Sequence, residues 1–333
     1  MGITVFQIVQ IVAMNALKDT TTVNEDDANL LVLIIDTNPL IWTKSAKSTG
    51  LSLKEALRHL LVFINAHLAL KHDNEVAVIA SHVGVSKFLY PIPNPPRLSE
   101  NTDQAVDSNL YQRFKVVNDQ VIGNMKDLFE DVSTLDSYPD KASSMIAGAL
   151  TMALCYTNRI MRADEIGHIK PRILIISISP DSPYQYISIM NCIFSAQKLG
   201  IPIDVCKVHG EDTVFLKQAA HLTGGRYLKL QIPQGFLQFL MITFLPDRFT
   251  RNYQCLPGEE KVDFSASCFC HKKMIDIGYV CSVCLSIFCH PLEQCSTCRT
   301  SLMLASVSES GLKLVNGIKK LDKAKGRESG GSI

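Results

Sequence analysis

LLVLIID, residues 30–36, decides the fold. Six apolar residues run without a polar break and end on a carboxylate, Asp36. A strand with one wet face alternates apolar and polar residues; an unbroken run suits a strand covered on both faces, as in a parallel sheet. Working outward, NEVAVIASHV (74–83), SKFLYPI (86–92), PRILIISIS (171–179), PIDVCKV (202–208) and RYLKL (226–230) read as further strands. Pro91 and Pro93 stop the second of these. Between them, LSLKEALRHLLVFINAHLAL (51–70) and the stretches 109–130, 141–162, 183–199, 211–222 and 233–245 read as helices, with Gly224 and Gly225 ending the one at 211–222. This β-α-β-β-α-α-β-α-β-α-β-α order over residues 29–245 predicts an α/β fold with a doubly wound, mostly parallel sheet. Ligands in such sheets sit at the carboxyl ends of the strands. The positions to inspect are therefore Asp36–Leu40, the segment before residue 145, and Ser177–Asp181.

The whole chain has 333 residues, with 33 Lys and Arg against 32 Asp and Glu, a net charge of +1. That balance excludes a generally basic nucleic-acid wrapper and an acidic disordered chain. Hydrophobic residues at 47% and charged residues at 20% mark a globular protein. Residues 1–28 read as an N-terminal extension. Its apolar part, 2–17, has no Lys or Arg before Lys18 and is broken by Gln7 and Gln10, so it fits neither a signal peptide nor a membrane span. Phe6 rules out the myristoylation pattern. The proline-rich stretch 93–107 reads as a surface loop, 246–267 as a linker, and 303–333 as a basic, mobile tail rich in Lys before a Gly/Ser end.

Seven of the 11 cysteines lie between Cys268 and Cys298. A chain this long needs no disulfides to hold a core, so clustered C-x-x-C pairs point to metal in a reducing compartment. Cys281-x2-Cys284, ten residues, then Cys295-x2-Cys298 is a four-cysteine zinc signature. Each C-x-x-C turn presents two thiolates to one ion, and two turns complete a tetrahedron with no open position for a catalytic water. Residues 268–302 therefore read as a small zinc-binding module. Cys268, Cys270 and Cys289, with His271 and His290 beside them, leave two readings open: a second, interleaved zinc site, or buried thiols acting as small apolar groups.

The phrase LIIDTNPL resembles the start of the metal-ion-dependent adhesion site of von Willebrand factor A domains, D-x-S-x-S after the first strand. The resemblance implies Mg²⁺ held by the aspartate and both serines, with a threonine and a second aspartate from other loops. Here Asp36 is present, Asn38 replaces the first serine, and Leu40 replaces the second and offers no donor. Ser143 or Ser144 could stand in for the threonine, and the strand at 171–179 ends in serines instead of a carboxylate. One anionic ligand is little for an ion that demands octahedral geometry, so the degenerate positions Asp36, Asn38, Leu40 and Ser144 are expected to be metal-free, with Asp36 capping a loop or helix start. The sequence holds no G-x-x-x-x-G-K-[ST], G-x-G-x-x-G, G-x-S-x-G or H-E-x-x-H, and the expectation is that it is not an enzyme.

A degenerate von Willebrand A-like domain followed by SASCFCHKKMIDIGYVCSVCLSIFC is similar to the family of smaller von Willebrand A-type subunits of the general transcription and DNA-repair factor TFIIH. LLVLIIDTNPLIW, VAVIASHVGVSKFLYP and GYVCSVCLSIFC carry the likeness most specifically, over roughly residues 28–302. The resemblance implies a non-catalytic, nuclear core subunit whose partners are other TFIIH subunits. Foremost among them is a larger subunit with its own von Willebrand A and zinc modules. The assembly serves RNA polymerase II transcription initiation and nucleotide excision repair. It implies no small-molecule substrate and no membrane. The alternative is a RING-like ubiquitin ligase component. Direct DNA contact stays open: the tail is basic, but 281–298 holds no Lys, with Arg299 next to it.

Overall fold

The structure is a computed structural model that describes residues 27–91, 112–133, 143–164, 168–251, 253–254, 266–271, 273–275, 278–281, 283 and 286–301. It opens with β1 (Ala28–Asp36), α1 (Pro39–Thr49), α2 (Leu53–Leu70), β2 (Glu75–Ser81), β3 (Ser86–Tyr90), α3 (Gln112–Ser133) and α4 (Ile146–Ala163). Then come β4 (Ile169–Ser177), α5 (Tyr186–Leu199), β5 (Ile203–Lys207), α6 (Val214–Thr223), β6 (Tyr227–Lys229) and α7 (Phe236–Phe239). The six strands form one sheet in the order β3-β2-β1-β4-β5-β6. All neighbours run parallel except the edge strand β3, antiparallel to β2. This is the doubly wound, mostly parallel sheet that the apolar runs predict.

Alternate residues of β1 feed two cores. Leu30, Val32 and Ile34 face α4, α5 and α6, while Leu31, Leu33 and Ile35 face α2, α3 and α7. All six are fully buried, each worth roughly 1.5–3 kcal/mol relative to exposure. At the end of α6 the chain turns tightly back into the sheet. A Cβ on Gly225 would lie 2.0 Å from the Ile203 carbonyl oxygen, so only glycine lets the backbone pass. Among the described residues no helix is long and apolar enough to cross a membrane.

The structure departs from the sequence reading in three places. Pro39–Thr49 is a helix that the apolar pattern does not announce; its start is set by the Asn38 side chain, which accepts from Leu40 N, and by Pro39 in its first turn. The stretch 233–245 is not one α-helix: a 3-10 turn (Pro233–Gly235) precedes α7, and a π-helical turn (Leu240–Phe244) follows it. Residues 246–251, read as the start of a linker, are docked on the sheet and include α8 (Arg248–Arg251). The buried Arg172 guanidinium donates to the carbonyls of Phe244, Leu245 (3.1 Å) and Pro246 (2.9 Å). Arg251 grips the fully buried Asp204 with two hydrogen bonds of 2.9 and 2.7 Å. Residues 93–107, nearly all of the extension 1–28, most of 246–267 and the tail 303–333 lie outside the described residues.

Beyond residue 265 two small hairpins follow, β7 (Ala266–Ser267) with β8 (Met274–Ile275), and β9 (Tyr279–Val280) with β10 (Ile287–Phe288). Phe269 and Ile287 pack against the face of the sheet covered by α4, α5 and α6. The cysteine-rich module is thus seated on the α/β body and shares its apolar surface.

Candidate metal centre

Each hairpin places thiols where its chain reverses. In the first, Cys268 N donates to Lys273 O (2.8 Å), closing a turn that carries Cys268, Cys270 and His271. In the second, Cys281 N donates to Ser286 O (2.9 Å), and Cys289 leaves the end of β10. A third turn is closed by Cys295 N to Thr300 O (2.9 Å) and carries Cys295 and Cys298. Such turns aim two side chains at one point while their backbone N–H groups are satisfied locally.

The donor atoms gather into two groups. Cys268, Cys270, His271 and Cys289 bring one ligand atom each within 4.8 Å of one another, and so do Cys281, Cys295 and Cys298. Cys284 lies outside the described residues. A tetrahedron with metal–sulfur bonds of about 2.3 Å has donor–donor edges of about 3.8 Å. Cys281 to Cys298 spans 3.6 Å, Cys270 to Cys289 3.9 Å and Cys268 Sγ to His271 Nδ1 3.9 Å. His271 Nδ1 lies 3.1 Å from both Cys270 and Cys289, and Cys268 lies 2.9 Å from Cys270. The Cys289 backbone N–H points at Cys268 Sγ (3.3 Å), an interaction that favours thiolate. Burial works to raise the Cys268 thiol, but hydrogen bonds from Cys270 and His271 outweigh it and bring it down to about 6. Three of these spacings match the tetrahedral edge and three are shorter; the donor types, thiolate with imidazole, fit zinc. Of the two readings open for the leftover cysteines, the geometry gathers three of them around one histidine instead of scattering them as core thiols.

The carboxyl end of the sheet is built differently. Asp36 is fully buried, and its carboxylate accepts from Asn38 N (3.2 Å), Ile178 N (3.2 Å) and Ser179 N (2.8 Å). Asn38 is committed as the N-cap of α1. Leu40 offers no oxygen. Ser144 is buried beside Val83, and its hydroxyl has no partner among the described residues. His82 Nδ1 lies 3.0 Å from the Thr37 hydroxyl, and burial holds its pKa below the ordinary value. Through these three N–H groups the Asp36 carboxylate ties the loop after β1 to the loop after β4.

One group at this end escaped the sequence reading. Lys207, the last residue of β5, is buried, and its ammonium donates to Ile178 O (3.1 Å) and Ser179 O (2.6 Å). Burial pulls its pKa down to about 8, against the carboxylates of Asp36 and Asp181, which raise it. Asp181 accepts from Phe215 N (3.1 Å) at the start of α6, and burial pushes it up to about 6. The available signal was a lysine closing an otherwise apolar strand, PIDVCKV.

Comparison with known proteins places this geometry in a family. The family model described as transcription factor Tfb4 matches residues 28–299. A Schizosaccharomyces pombe protein, general transcription and DNA repair factor IIH subunit tfb4, is 44% identical over 300 residues, which covers 90% of this chain and 97% of that one. The Arabidopsis thaliana protein of the same description, TFB4, is 40% identical over 278 residues, 82% of this chain and 88% of its own. Among solved structures, the crystal structure of the TFIIH p34 N-terminal domain superposes with a TM-score of 0.55 at 34% identity and covers 66% of this chain and all of that one.

Proposed function

The chain belongs to the Tfb4 family, and on that premise we propose that it is a structural subunit of the general transcription and DNA-repair factor TFIIH. In this reading it works through protein contacts, in transcription initiation by RNA polymerase II and in nucleotide excision repair. The observation that carries the reading is the span of the likeness: residues 28–299 take in both the six-stranded sheet and the cysteine-rich module. Its location is then nuclear, and its partners are other TFIIH subunits, above all a larger one with its own von Willebrand A and zinc modules.

Two structural zinc ions belong to this reading. Cys281, Cys284, Cys295 and Cys298 would hold one, and Cys268, Cys270, His271 and Cys289 the other. The sets interleave along the chain, 268–271 then 281–284 then 289 then 295–298, so each ion ties together segments that hydrogen bonds alone hold in two-residue strands. Bound zinc would supply most of the folding free energy of so small a module. With four protein donors each, both coordination spheres are closed to substrate water, which supports a non-catalytic role.

The test is to isolate the tagged full-length chain from nuclear extract of its own source and sediment it. Co-sedimentation with helicase-containing TFIIH, and loss of excision-repair activity on depletion, is the expected result. A chain that sediments alone overturns the assignment.

A further inference from the structure

We propose that Lys207 is a resident cation of the sheet's carboxyl end, balancing Asp36 and Asp181 so that this end is held together without a divalent metal ion and excludes one. The argument starts from the loop after β4. Its residues Ile178 and Ser179 give their N–H groups to Asp36 and their carbonyls to the Lys207 ammonium. The same two peptides are thus gripped by an anion on one side and a cation on the other. Two residues on, Asp181 fixes the first turn of α6 through Phe215 N. Asp36 is 0% exposed and Lys207 1%. Charges so buried survive only when hydrogen-bonded and balanced; these two do not touch, but both are bonded to the Ile178 and Ser179 peptides and so lie in each other's field.

The ammonium, more than the thin donor set around it, argues against an added ion. Both Asp36 oxygens already accept backbone N–H groups, Asn38 caps α1, and Leu40 has no donor atom. A divalent cation seated there would face a fixed ammonium in a site from which water is excluded, where like charges repel strongly. The hydroxyls of Ser144 and Ser179 have no partner among the described residues, so an ion freed from that repulsion would find oxygen donors waiting.

Trp42 reports on the site directly. It is the chain's single tryptophan, and its indole N–H donates to the Asp36 carbonyl (2.7 Å). The experiment titrates Mn²⁺ into the zinc-loaded full-length chain while following Trp42 emission and the thermal midpoint. Wild type should stay unchanged to millimolar Mn²⁺. Lys207→Ala should gain an emission and midpoint response, and D36N/K207A should lose it. An Asp36-dependent response in wild type overturns the proposal, as does a Lys207→Ala chain that remains silent. If Lys207→Ala fails to fold, a double-mutant cycle of Asp36→Asn and Lys207→Met in urea decides the matter. Losses that are less than additive support charge balance between the two groups; strictly additive losses overturn it.

Discussion

Removing Arg251 should destabilise the α/β body far more than an exposed arginine would. Asp204 is 0% exposed in the middle of β5, and Arg251 is 8% exposed. Their two hydrogen bonds, 2.9 and 2.7 Å, form a bidentate clasp across 47 residues of sequence. In Arg251→Ala the Asp204 carboxylate keeps a single neighbour of that kind, the Arg226 N–H at 2.8 Å. Deleting one partner of a buried ion pair costs about 3–5 kcal/mol when the other charge is left uncompensated; the Arg172 and Arg248 charges, which also act on Asp204, place the expected loss toward the lower end of that range. A domain of this size loses about 2–4 °C of thermal midpoint per kcal/mol, so the drop should be about 6–20 °C. Urea unfolding of the zinc-loaded chain, followed by far-UV circular dichroism, gives the free energy. D204N/R251M keeps an acceptor for Arg226 N but removes both charges, and it should recover more than half of the loss. Arg251→Ala within about 1 kcal/mol of wild type, or a double variant whose loss equals the sum of the singles, would refute the reasoning. Residues 246–251 would then be the loose linker that their sequence suggests.

Three further outcomes can be checked together. Cys289→Ser should lower the zinc content measured by elemental analysis from two ions per chain to one, whereas retention of two removes Cys289 from the ligand set. Phe269→Ala should cost about 2 kcal/mol of packing and separate the melting of the cysteine-rich module from that of the α/β body; a single unchanged transition would show that Phe269 does not join them. His67 is buried, donates Nε2–H to Glu75 O (3.2 Å), and is held at about 4, mainly by burial and next by the Arg172 charge. The folded state therefore binds this proton less readily than the unfolded chain, which titrates near 6.5. The His67 contribution is nil above pH 6.5 and becomes destabilising as pH drops from there toward 4, by about 3 kcal/mol in total, with the raised Asp181 carboxyl acting in the opposite direction over part of that window. His67→Gln should flatten that part of the pH–stability curve, and an equal slope in both proteins would rule His67 out as the cause.

The sheet is legible in the sequence because burial on both faces leaves a local mark, the unbroken runs at 30–35 and 173–176. The helix at Pro39–Thr49 escapes because TKSAKST carries few apolar residues; its start lies in a cap, Asn38 followed by Pro39, instead of a stripe. The turn around 233–244 reads as helix by its apolar content, but nothing in FLQFLMITFL marks the switch from α to π geometry. Cysteine spacing marks the C-x-x-C pairs, since two thiols three residues apart can reach one ion. It does not assign Cys289, whose neighbours Cys270 and His271 stand 19 and 18 residues away. Lys207, Arg172 and Arg251 are hidden for the same reason. Their partners are set by topology, 28 to 74 residues distant, and only the fold reveals that each positive charge is enclosed.

That enclosure bears on how the chain works. At the sheet's carboxyl end, where α/β proteins ordinarily present open valences to a ligand, the carboxylate of Asp36 and the ammonium of Lys207 are turned onto the chain's own backbone. In the cysteine-rich module the sulfur and imidazole donors face one another. Both polar constellations therefore engage the chain's own groups, the first buried beneath the loops after β1 and β4 and the second near the surface of the two hairpins. A subunit built this way can recognise partners through helix faces and loops that hardly rearrange on assembly. Substitutions at Lys207 or Cys289 should accordingly weaken assembly by loosening the surfaces they support, and the same substitutions should register first as lost stability.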